Sequence, residues 1–505
     1  MDQGGEGLRR QGRLTPNPHT EMTQTADTPS SSSDPVAATL ATFTHRLQLG
    51  DVPADASLRA RHLMLDAVGC ALAARREDFA LRFESAVHAL PGVNVPAACT
   101  AAAIGFSRRL PLRDATLLNG VLTHGLDYDD THMAGVIHLS VSVLPALFSL
   151  AAAREQSGAD MLTAYIAGLE TGARIASVVK SGFHGQGFHP TGVVGAFASA
   201  LAVGRMSGLD HAGLVAAQGI ALSLASGSLQ FIEDGSWTKR IHPGWAAQAG
   251  LTAATLAQQG IPAPDAPYTG RYGLFRSYLD SARQAQIDLA LGTAGIDAEG
   301  RASHWELNNV AIKPFPMCHF VHASADAAIA LRRQGIDTAA IRSVEVAVPA
   351  GVVQAVCEPQ DAKRRPTSDY EAKFSLPYAV ASGLLRGRLG LKELEPTAFS
   401  DEGVRDLMAR VSYVEDPSST FPRHYTGEVR VTFEDGSTRV HRESINRGHA
   451  ERPLANDEVR EKFMDNATLW FPCAHAEAVC AQVLGLDKLA SVRTLESLLA
   501  ADPQL

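Results

Sequence analysis

Between Pro35 and Tyr278 apolar residues recur at helical spacing almost without a break, and many of the intervening positions are Ala or Gly. Small residues let helices approach closely, so the pattern predicts a bundle with buried central helices. Leu63, Leu65, Val68 and Leu72 mark one such helix over 58–74. Thr191 to Met206, dense in Ala, Gly and Val, marks another. Near residue 305 the pattern changes. Lys313-Pro314-Phe315-Pro316 breaks structure, and His319, His322 and Asp326 open a helix running to about Arg333. Ile341 to Pro349 and Glu428 to Phe433 alternate as strands, with Glu434-Asp435-Gly436-Ser437 as a hairpin turn into Thr438 to Glu443. Ala372 to Arg386 between them reads as a helix carrying Lys373 and Tyr378, and 454–499 returns to helical periodicity. The fold class expected is mainly α: a large all-helical domain (35–308 and 446–505) with a smaller inserted α+β lid domain (309–445). The cleft between two such parts is where a ligand commonly sits.

Residues 1–34, polar and carrying Ser30 to Ser33 in a row, read as a disordered tail, with Met22 as a second possible start. No apolar run approaches the roughly 18 residues of a membrane span, so a soluble, cytoplasmic protein is expected. A net charge of −9 with scattered basic residues offers no footprint for nucleic acid. The six cysteines are dispersed without a CxxC, which fits unpaired thiols in a reducing compartment.

Against this apolar background one stretch gathers His124, Asp127, Asp129, Asp130, Thr131, His132 and His138 within fifteen residues. Leu117, Leu118, Val121, Leu122, Gly125 and Tyr128 extend a helical pattern over 115–131, which would put His124, Asp127 and Thr131 on one face. Asp129 and Asp130 are adjacent, so they cannot both point where Asp127 points. A second helix is expected from Ser140 or Ser142, with His138 just ahead of its N-terminus, where the helix dipole also favours a bound carboxylate. The stretch admits three interpretations: a solvated acidic helix end with packed histidines, a metal site, or metal-free acid/base chemistry on a small carboxylate. Two further polar islands are Ser181 to Thr191, where His184 and His189 lead into a helix, and Glu233 to Gly244, where Lys239 and Arg240 suggest a carboxylate clamp.

Five strings in order, HGLDYDDTH, GFHPTGVVGAFASALA, TKRIHPG, KPFPMCHFVHASADA and AKFSLPYAVASGLL, give the chain from about 36 to 500 a resemblance to the MmgE/PrpD family. That family includes 2-methylcitrate dehydratases, cis-aconitate decarboxylases and iminodisuccinate epimerases. Leu139 stands after His138 where many members carry proline. The resemblance implies a helical domain built from both chain ends, a lid, a homodimer, and no metal or organic cofactor. It carries Asp127, Thr131, His138, His189, Lys239, Lys313 and Tyr378 over as residues lining the cleft. The family's reactions occur at a carbon next to a carboxylate and develop negative charge there, which fixed cations stabilise. Lys239 and Lys313 suit that work, with His189 as a donor. His138 would move the proton, Asp127 would orient an imidazole or act as a base, Thr131 would position either, and Tyr378 would close in from the lid. The leading expectation is a cofactor-free lyase on a small di- or tricarboxylate. Its alternatives are a dicarboxylate epimerase in the same cleft, a metal-dependent hydrolase on His124, Asp127 and His138, and a non-catalytic relative that binds a metabolite.

Overall fold

The computed structural model describes residues 34–90 and 95–502. Asp34, assigned above to the tail, is instead packed into the helical bundle. Its buried carboxylate accepts from the N–H groups of Val36 (3.0 Å) and Ala37 (3.3 Å), capping the helix Pro35–Arg46, and also from Tyr268 (3.0 Å) and Thr269 (2.7 Å). The rest of the expected tail, with Met22, lies outside the described residues.

The bundle is organised around Pro190–Met206, a helix buried at every position except Arg205. A helix apolar on all sides is stable only when surrounded, and Gly158–Val179, Ser140–Ala153, His211–Leu222 and Ile241–Gln258 surround this one. Glycine sets how close the neighbours come. A Cβ on Gly250 would lie 2.2 Å from Ser199 Cβ, and one on Gly120 would lie 2.2 Å from the Cα of Gly244. The second contact locks Leu112–His124 onto the start of Ile241–Gln258, two elements that both end at the site described below.

Residues 309–445 carry a four-stranded sheet in the order Val411–Glu415, Ile341–Val348, Gly427–Phe433, Thr438–Glu443. The first pair is parallel and the others antiparallel, with Val346 opposite Val429 and Thr432 opposite Thr438 across the expected hairpin. Val344, Val346 and Val348 point to one buried face, against which His322–Arg333 and Leu376–Arg386 pack. Two separate apolar cores result. One takes in Val36 to Ile312 together with Leu454 to Leu499, and the other runs from Phe315 to Phe433. This separation is the packing basis for the proposal that residues 309–445 form a distinct lid.

Three local expectations change. The helix expected over 115–131 stops at His124, and Thr131–His132 is a strand paired with Val310–Ala311, so the shared helical face of His124, Asp127 and Thr131 does not exist. The stretch 372–386 is two helices, because Ser375 caps a new one by accepting from the Tyr378 N–H (3.0 Å), leaving Lys373 at the end of Asp369–Lys373. The edge strand Val411–Glu415 was not anticipated.

Candidate active site

The site begins where Leu112–His124 ends. The last carbonyls of a helix lack internal partners and carry partial negative charge, which favours cations. Four cations from distant parts of the chain take four consecutive carbonyls after His124. Arg240 Nε donates to Gly125 O (2.9 Å), Lys373 Nζ to Leu126 O (3.2 Å), Lys313 Nζ to Asp127 O (2.7 Å) and Lys462 Nζ to Tyr128 O (2.8 Å). Within this turn Asp127 adopts φ 54°, a left-handed conformation that Asp tolerates better than most residues. The reversal sends Asp127 and Asp129 to different partners.

Asp127 lies between two lysines. Its Oδ2 is 2.8 Å from Lys239 Nζ and its Oδ1 3.2 Å from Lys313 Nζ. Burial pushes the Asp127 carboxyl up, but Lys239 and Lys313 outweigh it and hold the group well below the usual carboxylate range. Burial lowers the Lys313 ammonium, and Asp127 and Asp129 more than restore it. Asp127 therefore orients the lysines rather than an imidazole, and a carboxylate so strongly held as an anion is a weak base. Arg240 is not half of a carboxylate clamp: its guanidinium lies over Phe79 (4.2 Å) and Trp237 (5.2 Å) while it holds the helix end.

The orienting carboxylate is Asp129, fully buried. Oδ1 accepts from His124 Nδ1 (2.9 Å), and Oδ2 lies 3.0 Å from His138 Nδ1, which donates to the Asp130 carbonyl at 2.7 Å. Carbonyl and carboxylate oxygens only accept, so this network assigns the proton to Nδ1 in both rings and leaves each Nε2 free to exchange one. Burial raises the Asp129 carboxyl, but His124 and His138 more than reverse this and hold it low. Thr131 Oγ1 is 3.4 Å from His138 Nδ1, a weak third contact, and Thr191 Oγ1 accepts the His138 backbone N–H at 3.2 Å. Asp130 behind them is pushed up to about 7 by burial and by Asp129 and Asp66, against a hydrogen bond from Ser140. Ser140 starts the Ser140–Ala153 helix, but its hydroxyl serves Asp130 and Tyr165 rather than a backbone cap.

His189 completes the group. It is the N-cap residue of Pro190–Met206, its ring centroid 5.9 Å from that of His124 and 6.1 Å from that of His138, with Nδ1 3.1 Å from His242 Nδ1. Burial first, then Lys239 and the neighbouring imidazoles, keep it neutral at ordinary pH. The structure thus brings together Asp127, Thr131, His138, His189, Lys239 and Lys313. Tyr378 is elsewhere. It is fully buried in the lid core beside Phe399, and its hydroxyl donates to the Glu393 carbonyl, so it is a core residue whose polar end is satisfied. His132 pairs with Glu306 (3.1 Å), while His319 and His322 hold Asn446 (3.0 Å) and Met317 O (3.1 Å), so these histidines are structural. Asp129, His124 and the turn-capping Lys373 and Lys462 are the additions. An Asp129→Asn variant is expected to lower kcat by about 10- to 100-fold with KM nearly unchanged, because one imidazole loses its orienting acceptor; steady-state kinetics checks it.

No helix is long and apolar enough to cross a membrane among the described residues. Residues 38–287 match the MmgE/PrpD N-terminal domain and residues 315–487 the MmgE/PrpD C-terminal domain. The cis-aconitate decarboxylase-like protein oryM of Aspergillus oryzae is 27% identical over 95% of this chain and 100% of its own length. The cis-aconitate decarboxylase of Homo sapiens is 30% identical over 77% of this chain and 80% of its own, and that of Aspergillus terreus 28% identical over 94% and 98%. On these two domain matches, which together span most of its length, the chain belongs to the MmgE/PrpD family.

Proposed function

We propose that the protein is a cofactor-free lyase that acts on a small tricarboxylate, in the manner of a cis-aconitate decarboxylase. The observation that carries this is the free Nε2 edge of His138 held by Asp129 beside a lysine pair already poised on a carboxylate, that of Asp127. A substrate carboxylate meets Lys239 and Lys313 as Asp127 does, and the pair binds it more strongly as charge gathers there. In decarboxylation the C–CO2 bond breaks and its electron pair moves toward the adjacent carboxylate system. The Nε2 of His138, in its imidazolium form, then returns one proton to carbon, so that carbon dioxide leaves and the product gains one hydrogen from solvent. His189 offers a neutral ring to a second carboxylate. The relatives named as cis-aconitate decarboxylases support this choice of bond.

The test is mass spectrometry after incubation with cis-aconitate, 2-methylcitrate, citrate and iminodisuccinate in deuterated water. Loss of carbon dioxide from cis-aconitate with one deuterium gained is expected. Loss of water from 2-methylcitrate would make it a dehydratase, and deuterium uptake without a change in composition an epimerase. Lys313→Met is expected to raise KM by about 10- to 100-fold, the weight of a charge-assisted hydrogen bond; an unchanged KM in a folded variant would remove Lys313 from substrate binding.

A second copy of the chain is proposed as a partner. Trp245 and Leu256, eleven residues apart on one helix and so on one face, are 45% and 37% exposed and offer an apolar seat for it.

A further inference from the structure

We propose that His124, His138 and His189 together bind a soft divalent cation of the zinc class, and that filling this site blocks proton transfer by His138. One ring nitrogen of each lies within 4.8 Å of those of the other two. Each Nδ1 is engaged from behind: His124 by Asp129, His138 by the Asp130 carbonyl and Asp129, and His189 by His242. Ligating histidines are almost always oriented through the second ring nitrogen by a carboxylate or carbonyl, as His124 and His138 are here. His124 Nε2 is buried without a hydrogen-bond partner, so the pocket holds a polar atom that the fold leaves unsatisfied. Three imidazoles with an open fourth position form a familiar zinc donor set, in which nitrogens at about 2.0–2.1 Å from the ion lie roughly 3.3 Å apart. Closing from that 4.8 Å limit to this spacing requires the rings to turn about their Nδ1 contacts.

Charge does not forbid the ion. Lys239 and Lys313 are paired with Asp127, and Asp129 adds a negative charge directly behind two of the three rings. His138 is partly exposed, which leaves a path of entry. His424, with His449 and Glu451 from the segment that follows the lid, also forms a group within 4.8 Å, but Arg423 already engages Glu451 at 2.8 Å. That trio serves as an internal control. The binding half of the proposal stands on geometry alone, whereas the blocking half rests on the lyase function proposed above.

The test uses the full chain, stripped with a chelator and titrated with cobalt(II) while visible absorption and turnover are followed. One cobalt per chain is expected, with the absorption of a nitrogen-coordinated tetrahedral ion, displaceable by zinc, and with turnover falling in proportion to occupancy. His124→Gln and, separately, His189→Asn should weaken uptake by about tenfold or more. His449→Gln should leave it unchanged. Absence of the absorption at excess metal, its persistence in both His124→Gln and His189→Asn, or its loss in His449→Gln would each overturn the site. Turnover that rises with occupancy would overturn the blocking role. Failure of the lyase function would appear separately, as silence across the substrate panel with the cobalt absorption intact.

Discussion

In a His138→Gln variant, turnover of the proposed substrate, cis-aconitate, is expected to fall by about 10²- to 10⁴-fold, the usual weight of a positioned acid/base group. Glutamine keeps much of the volume and can still donate to the Asp130 carbonyl, so the loss tests chemistry more than packing. The Nδ1 of His138 is committed to Asp130 and Asp129, and only Nε2 can meet a substrate carbon. KM should move little, because Lys239 and Lys313 are untouched. Single-turnover kinetics with circular dichroism checks the result: a folded variant at full speed would take His138 out of the reaction.

Acid is expected to unfold the protein unusually early. Burial, with the neighbouring cationic or imidazole groups, holds His62, His184 and His242 down at about 4 and His319 down at about 3. In the unfolded chain each titrates near the ordinary value of about 6.5. Below that pH the unfolded state binds protons that the folded state refuses, so stability falls as pH falls from about 6.5 toward 4. A fully shifted histidine contributes about 1.4 kcal/mol per pH unit. Discounted for solvent screening, and opposed by Asp130, whose raised carboxyl takes up a proton only in the folded state over the same window, the four together remove on the order of 3 kcal/mol, a large share of a domain's stability. The low-held carboxylate of Asp129 acts in the same direction but in a lower window. Its contribution is intact above the ordinary carboxylate value and is lost only at lower pH, outside this window. Calorimetry from pH 7.5 to 4.5 should show Tm dropping steeply below about 6.5, and a flat profile down to pH 5 would refute the assignment.

Much of the architecture was legible because helices with Ala and Gly at their contacts, and strands such as Val344, Val346 and Val348, announce themselves by period. The edge strand Val411–Glu415 did not, since only Val411 is buried and its exposed residues leave no alternation. Leu126 and Tyr128 continue the apolar period beyond His124, so the end of that helix was invisible. Four cations set it, the nearest in sequence more than a hundred residues away. The choice between Asp127 and Asp129 as orienting carboxylate hung on that same turn. Tyr378 was misplaced because a tyrosine amid Leu376, Ala379 and Val380 suits a cleft wall as well as a core. Only the Glu393 carbonyl, brought up by a later segment, decides where its hydroxyl goes.

The turn from Gly125 to Tyr128 also dictates when the molecule becomes competent during synthesis. Arg240, Lys313, Lys373 and Lys462 reach the ribosomal exit in that order, and the last belongs to the Asn456–Ala467 helix, within the final tenth of the chain. A nascent chain can bury much of its helical bundle long before then, yet the carbonyls that place Asp127 and Asp129 lack their full set of cations until Lys462 arrives. Partly made or C-terminally clipped chains would therefore carry Lys239, Lys313, His138 and His189 without a finished site, and would lack the proposed activity.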